Sequence, residues 1–202
     1  MPYWHYKHGA LHYQEFGASP KTLVLIHGLG DSADRWSRQI AQFSVSFHLL
    51  VPDLYGHGRS SQSTPRAQSL FLSAQSIIDL ISSKVAGDYA VFGHSAGGYV
   101  VAVMLASNLP RLRGAVFMDC PAHICLGDGY LDSNIGPRSF GKVMPVLILE
   151  AEYGIGKDTS NSLREFFSNA EYLMVKGVQH NLMVSNSQVM NSALVAFLNR
   201  IF

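Results

Sequence analysis

From Thr22 onward, six short apolar runs alternate with longer segments of helical period, and this alternation constrains the fold more than any other feature of the chain. The runs are Thr22 to Ile26, Phe47 to Val51, Tyr89 to Phe92, Gly114 to Met118, Val146 to Leu149 and Glu171 to Val175. Continuous apolar strands are those covered on both faces, which in turn requires helices in the connections. The intervening segments supply them. Trp36, Ile40 and Phe43 recur at helical spacing behind the capping candidates Asp31 and Ser32, and Pro65 stands at the first turn of a longer pattern through Leu70, Ala74, Ile77, Ile78, Ile81 and Val85. Ala96 to Ala106 is apolar nearly all round, so that helix is expected to be buried. A further helix is expected around Leu163 to Phe167, and Met190, Leu194, Phe197, Leu198 and Ile201 mark the inner face of a terminal one. Ahead of all this, Tyr3 to Lys7 and Leu11 to Phe16 alternate around His8-Gly9 and read as an antiparallel hairpin. The expected architecture is α/β: about eight strands, mostly parallel, with an N-terminal antiparallel hairpin and helices on both faces.

With 202 residues, 48% hydrophobic and 14% charged, the chain has enough apolar material for one core and is read as a single domain over 1–202. A formal net charge of +1 without runs of like charge argues against nucleic acid or an anionic membrane surface as partner. The longest apolar run, Tyr99 to Ala106, is too short for integral membrane association, which takes roughly 20 residues. No apolar stretch follows basic residues at the N-terminus, so a cytoplasmic location is expected. Cys120 and Cys125, with His123 between them, have poor zinc spacing and read as plain thiols; His5, His8 and His12 on the hairpin read as exposed strand residues. No metal and no cofactor is expected, and the oligomeric state is open.

Gly93-His94-Ser95-Ala96-Gly97 places G-x-S-x-G between a strand and a buried helix, where small flanking residues allow the sharp turn that presents a serine hydroxyl. The start of that helix puts the Ala96 amide where an oxyanion develops, and a second amide aimed at the same point is expected from Leu29 in His27-Gly28-Leu29-Gly30, directly after a strand. Together with the Asp53-Leu54-Tyr55-Gly56-His57-Gly58-Arg59-Ser60 loop and Lys176-Gly177-Val178-Gln179-His180 before the last helix, these motifs resemble the α/β-hydrolase-fold serine hydrolases over nearly the whole chain. The resemblance implies a nucleophilic Ser95, a general base His180, and a mainly structural Asp53–Ser60 loop with His57 and His94 as loop braces. A serine hydroxyl needs such an imidazole to take its proton and return it.

The imidazole in turn needs a carboxylate to fix its tautomer. In the common family arrangement that acid follows the strand Val146 to Leu149, and carrying the motif over lands on Gly154, which has none. Glu152 stands two residues early and Asp158 four late. Asp119 ends the neighbouring strand, the position from which some members of the fold, including a subgroup of haloalkane dehalogenases, supply the acid. Asp119 is preferred, with Glu152 and Asp158 as alternatives.

A serine rather than an aspartate nucleophile points to an acyl-enzyme route and to a small-molecule carboxylic ester as substrate. The 26 residues of 120–145, with four Gly and three Pro, are too few for a helical cap and are expected to form a reduced lid over an open site, rimmed by Leu126, Tyr130, Leu131, Ile135 and Phe140. Two other readings share the motifs: a small-molecule receptor or signalling protein with little turnover, and a hydrolase of carbon–carbon bonds or a perhydrolase.

Overall fold

Eight strands form one sheet in the order β1-β2-β4-β3-β5-β6-β7-β8 in the computed structural model, which describes residues 2–7, 9–61, 66–121, 144–155 and 157–202, the side chains of 66–69 and 157–160 excepted. The hairpin β1 (Tyr3–Tyr6) and β2 (Gly9–Phe16) is antiparallel and joins the rest through an antiparallel β2/β4 pairing. Strands β3 (Thr22–Ile26), β4 (His48–Pro52), β5 (Tyr89–His94), β6 (Leu112–Met118), β7 (Val146–Tyr153) and β8 (Glu171–Gln179) are mutually parallel. Because the parallel strands all run the same way, their C-terminal ends share one edge of the sheet. Gly28, Ser95, Asp119 and His180 all follow such ends.

Helices cover both faces. Val24 and Ile26 of β3 face one core, with α2 (Arg66–Lys84), α3 (Gly97–Ala106) and Leu163 of α4 (Lys157–Phe166). Leu23 and Leu25 face the other, against Phe43 of α1 (Ser37–Phe43), Leu182 of α5 (Leu182–Ser185) and Leu194 and Phe197 of α6 (Ser187–Ile201). The four β3 side chains are 0% exposed, and each is worth about 1.5–3 kcal/mol relative to an exposed position. Gly97 through Leu105 of α3 are all buried, as the all-round apolar pattern predicts.

Local differences have local causes. The first helix begins as a 3-10 turn over Ala33–Trp36; Ser32 makes no side-chain cap, and the Ala33 amide donates to the Asp53 carboxylate. His12 is 0% exposed, not a solvated hairpin residue: β2 is paired on both sides, and His12 Nδ1 donates to Asp53 Oδ2 at 2.8 Å. Cys120 is buried, with its Sγ 3.2 Å from the Gly93 carbonyl oxygen. His8, Pro65, His123, Cys125 and the rim residues of 122–143 lie outside the described residues. Among the described residues no helix is long and apolar enough to cross a membrane, and no cluster of three or more His, Cys, Asp or Glu could hold a metal ion.

Candidate active site

The turn from β5 into α3 is built by its glycines. A Cβ on Gly93 would stand 2.5 Å from the Gly97 carbonyl oxygen, and one on Gly97 would stand 2.5 Å from the Ile26 carbonyl oxygen and 2.7 Å from that of His27. Only hydrogen at both positions lets α3 begin against the end of β3. Ser95 between them has φ +52, a left-handed conformation that an L-residue with a side chain adopts at a cost on the order of 1–3 kcal/mol. The surroundings over-determine it: the Ser95 amide donates to the Met118 carbonyl at 2.9 Å, and its own carbonyl accepts from Gly98 at 2.9 Å.

The loop after β3 lies directly on this turn, since a Cβ on Gly28 would be 2.8 Å from Ser95 Cβ. His27, fully buried, orients that loop. The Leu54 amide donates to His27 Nε2 at 2.9 Å, so the proton sits on Nδ1, which donates to the Gly28 carbonyl at 2.7 Å. In a trans peptide the carbonyl and the following N–H point oppositely, so this bond turns the Leu29 amide to the other side of the loop. Burial holds the His27 imidazole below its ordinary pKa, which keeps the neutral tautomer this arrangement needs. Leu29 and Ala96, the two expected amide donors, thus follow Gly28 and Ser95, which are in contact.

Asp119 ends β6 with φ +46 and is buried. Its amide donates to the Leu149 carbonyl at 2.7 Å, and its carboxylate accepts from the Ala151 amide at 3.3 Å, the Ile155 amide at 3.2 Å and His180 Nδ1 at 2.6 Å. The Gly154 position is empty for a reason the sequence only hints at. A Cβ there would overlap the Asp119 carboxylate, so the glycine makes room for an acid that arrives from the neighbouring strand. The His180 side chain is 31% exposed, with Nδ1 committed to Asp119.

Glu152 is used elsewhere. It accepts from the Gly177 amide at 2.9 Å and from Lys176 Nζ at 3.1 Å, and so anchors the stretch that leads into His180. Asp158 falls on α4, and its side chain is not among those described. The Asp53 carboxylate accepts from the Ala33 amide at 2.6 Å, His12 at 2.8 Å and the Arg59 amide at 2.9 Å, inside the body of the protein. Gly58, at φ +51, leaves room for that carboxylate.

Two residues gain importance beyond the motif reading, which gives His27 no role of its own and His94 only that of a loop brace. One is His27, described above. The other is His94, 2% exposed, whose Nε2 stands 3.0 Å from the His180 carbonyl oxygen and whose ring centroid lies 4.5 Å from that of His180. Burial first, and the neighbouring His180 second, push its pKa from 6.5 down to about 4. The available signal was positional: His27 directly precedes Gly28 and His94 directly precedes Ser95.

Residues 23–189 match the profile of the alpha/beta hydrolase family. Among curated relatives, lipase LipV of Mycobacterium tuberculosis is 32% identical over 110 residues, 54% of this chain and 41% of its own. A putative carbamate hydrolase, RutD of Yersinia enterocolitica, is 34% identical over 91 residues, 45% of this chain and 32% of its own. The matched stretches therefore cover less than half the length of these relatives. Among solved structures, a bromoperoxidase from Bacillus anthracis superposes with a TM-score of 0.81 at 18% identity, covering 95% of this chain and 96% of that one, which is a likeness of fold. The family profile spans most of the sheet and every residue of the site just described, and the chain belongs to the alpha/beta hydrolase family.

Proposed function

We propose that the chain is a serine hydrolase that cleaves small carboxylic esters through an acyl-enzyme. In this reading Ser95 is the nucleophile, His180 takes its proton and later returns it to the leaving alcohol, and Asp119 holds the Nδ1–H tautomer and stabilises the imidazolium. The Leu29 and Ala96 amides stabilise the oxyanion. The observation that carries the reading is the 2.6 Å bond between His180 Nδ1 and Asp119 Oδ2, in a pocket cleared by Gly154, at the same sheet edge as the left-handed Ser95. Attack by Ser95 Oγ on the ester carbonyl forms the new C–O bond as the proton passes to His180. Collapse of the oxyanion then expels the alkoxide, which leaves with that proton, and water repeats the sequence to release the acid.

The test is labelling by a fluorophosphonate probe together with turnover of a short-chain aryl ester. Ser95 is expected to carry the label, and Ser95→Ala and His180→Ala are each expected to remove it and to lower turnover by several orders of magnitude, about 10⁴-fold or more, while remaining folded. Labelling that persists in a folded Ser95→Ala protein overturns the assignment. An aryl carbamate in the same assay separates ester from carbamate preference, a comparison that the carbamate hydrolase name of one relative motivates.

A further inference from the structure

His94 sits one residue before the proposed nucleophile and bonds to the backbone of the proposed base. The carbonyl of His180 can only accept, so Nε2 of His94 carries the proton in the 3.0 Å contact between them. Nδ1 of His94 is then a lone pair without a hydrogen-bond partner among the described residues, packed against Gly28 closely enough that a Cβ there would be 3.3 Å away. A second proton on this ring would have no acceptor among those residues. The contact spans β5 to the end of β8 across two intervening strands, and the same two residues stack with ring planes tilted by 38°.

We propose that His94 is a positioning residue that sets the spacing between Ser95 and His180: as a neutral Nε2–H imidazole it pins the His180 carbonyl while its ring backs the His180 imidazole. The proposal rests on the reading of Ser95 and His180 given above. Its physical content is a direct strut between nucleophile and base. Asp119 fixes the tautomer and one edge of the His180 ring; the strut fixes where that residue's backbone stands relative to the elbow. A displacement on the order of 1 Å between reacting groups can cost about 10²-fold in rate, so a strut of this kind has consequences for kcat without touching substrate. Neutrality matters as well. His180 becomes cationic in each proton transfer, and a neutral ring beside it offers an aromatic partner where a charged one would repel it. The charged or titratable groups that act on His94 are His180, Asp119 and Asp31. Burial holds His94 neutral down to about pH 4.

Three variants test the strut. His94→Phe keeps a ring and removes the donor, His94→Gln keeps a donor at similar reach and removes the ring, and His94→Ala removes both. Turnover of a short-chain aryl ester is expected to fall about 10²-fold in kcat in His94→Phe, with KM changed by less than about threefold, and to recover to within about tenfold of wild type in His94→Gln. The low-field proton resonance of the His180 Nδ1–H bonded to Asp119 is expected to be sharp in wild type and His94→Gln, and broadened or lost in His94→Phe and His94→Ala. A folded His94→Phe with wild-type kcat and an undisturbed resonance overturns the proposal, as does a folded His94→Gln as impaired as His94→Phe. Should His94→Phe and His94→Ala fail to fold, His94→Gln retains the decision, since near-wild-type kcat with a sharp resonance is the expected outcome. A wild-type protein unlabelled at Ser95 would remove the catalytic reading, while the resonance comparison would still decide whether His94 orders His180.

Discussion

Asp119 answers to three donors, the Ala151 and Ile155 amides and His180 Nδ1, and an amide side chain at this position can satisfy them only by presenting its NH2 to one of them. Asp119→Asn is therefore expected to favour the wrong tautomer of His180 and to cost about 10⁴-fold in kcat, the size of loss associated with a triad Asp→Asn change. Glu152 lies nearby but spends its carboxylate on the Gly177 amide and Lys176, so Glu152→Gln, which keeps an acceptor for that amide, is expected to cost less than about tenfold. Steady-state kinetics on both variants, with circular dichroism to confirm folding, separates the two carboxylates. Near-wild-type turnover in a folded Asp119→Asn protein would remove Asp119 from the triad. The motif reading prefers Asp119 over Glu152 and Asp158 because Gly154 leaves the usual position without an acid, although chain order is the same for all three; which carboxylate has room at the β7 corner is a matter of tertiary structure.

At the scale of elements, the site depends on glycines where one chain segment meets another. Gly97 lets α3 start against the carbonyls of Ile26 and His27, and an added methyl would push α3 off β3. Gly97→Ala is expected to lower stability by about 1–3 kcal/mol, read from urea denaturation, since backbone rather than a flexible side chain must give way. Gly154→Ala is different. Its methyl would meet the Asp119 carboxylate, and the residue has no left-handed backbone to strain, so the main expected effect is displacement of Asp119. We expect kcat to drop about 10²-fold with a loss of only a few degrees in Tm. A Gly154→Ala protein with unchanged kcat would mean that the acid tolerates another position. Element boundaries show the same dependence on contacts. The period of Trp36, Ile40 and Phe43 correctly announces a helix, but its first turn is 3-10, with the Ala33 amide donating to the Asp53 carboxylate twenty residues away.

For the whole molecule, the buried histidines predict how stability responds to pH. His94 has a folded-state pKa of about 4 against 6.5 for an exposed imidazole, and His27 is shifted in the same direction. Between those values the unfolded chain binds protons that the folded protein refuses, so stability is full above about pH 6.5, declines as pH falls toward 4, and gains no further loss from His94 below that. The contribution of His94 is on the order of 3 kcal/mol. Urea denaturation from pH 7.5 to 4 is expected to show this decline in wild type and a shallower one in His94→Gln; equal slopes would mean that His94 is not held neutral by the fold. The sequence by itself determined the eight-stranded α/β plan, the burial of α3, and the sharp turn at Ser95 between β5 and α3, because these follow from local period and from a motif whose residues are contiguous. It could not show that His12 is buried, that Gly154 clears space for Asp119, or that His27 and His94 each face a specific carbonyl. Those facts concern residues 41, 35, 1 and 86 positions apart or the direction in which a side chain leaves its strand, and only the folding of parallel strands onto one shared edge decides which of them meet.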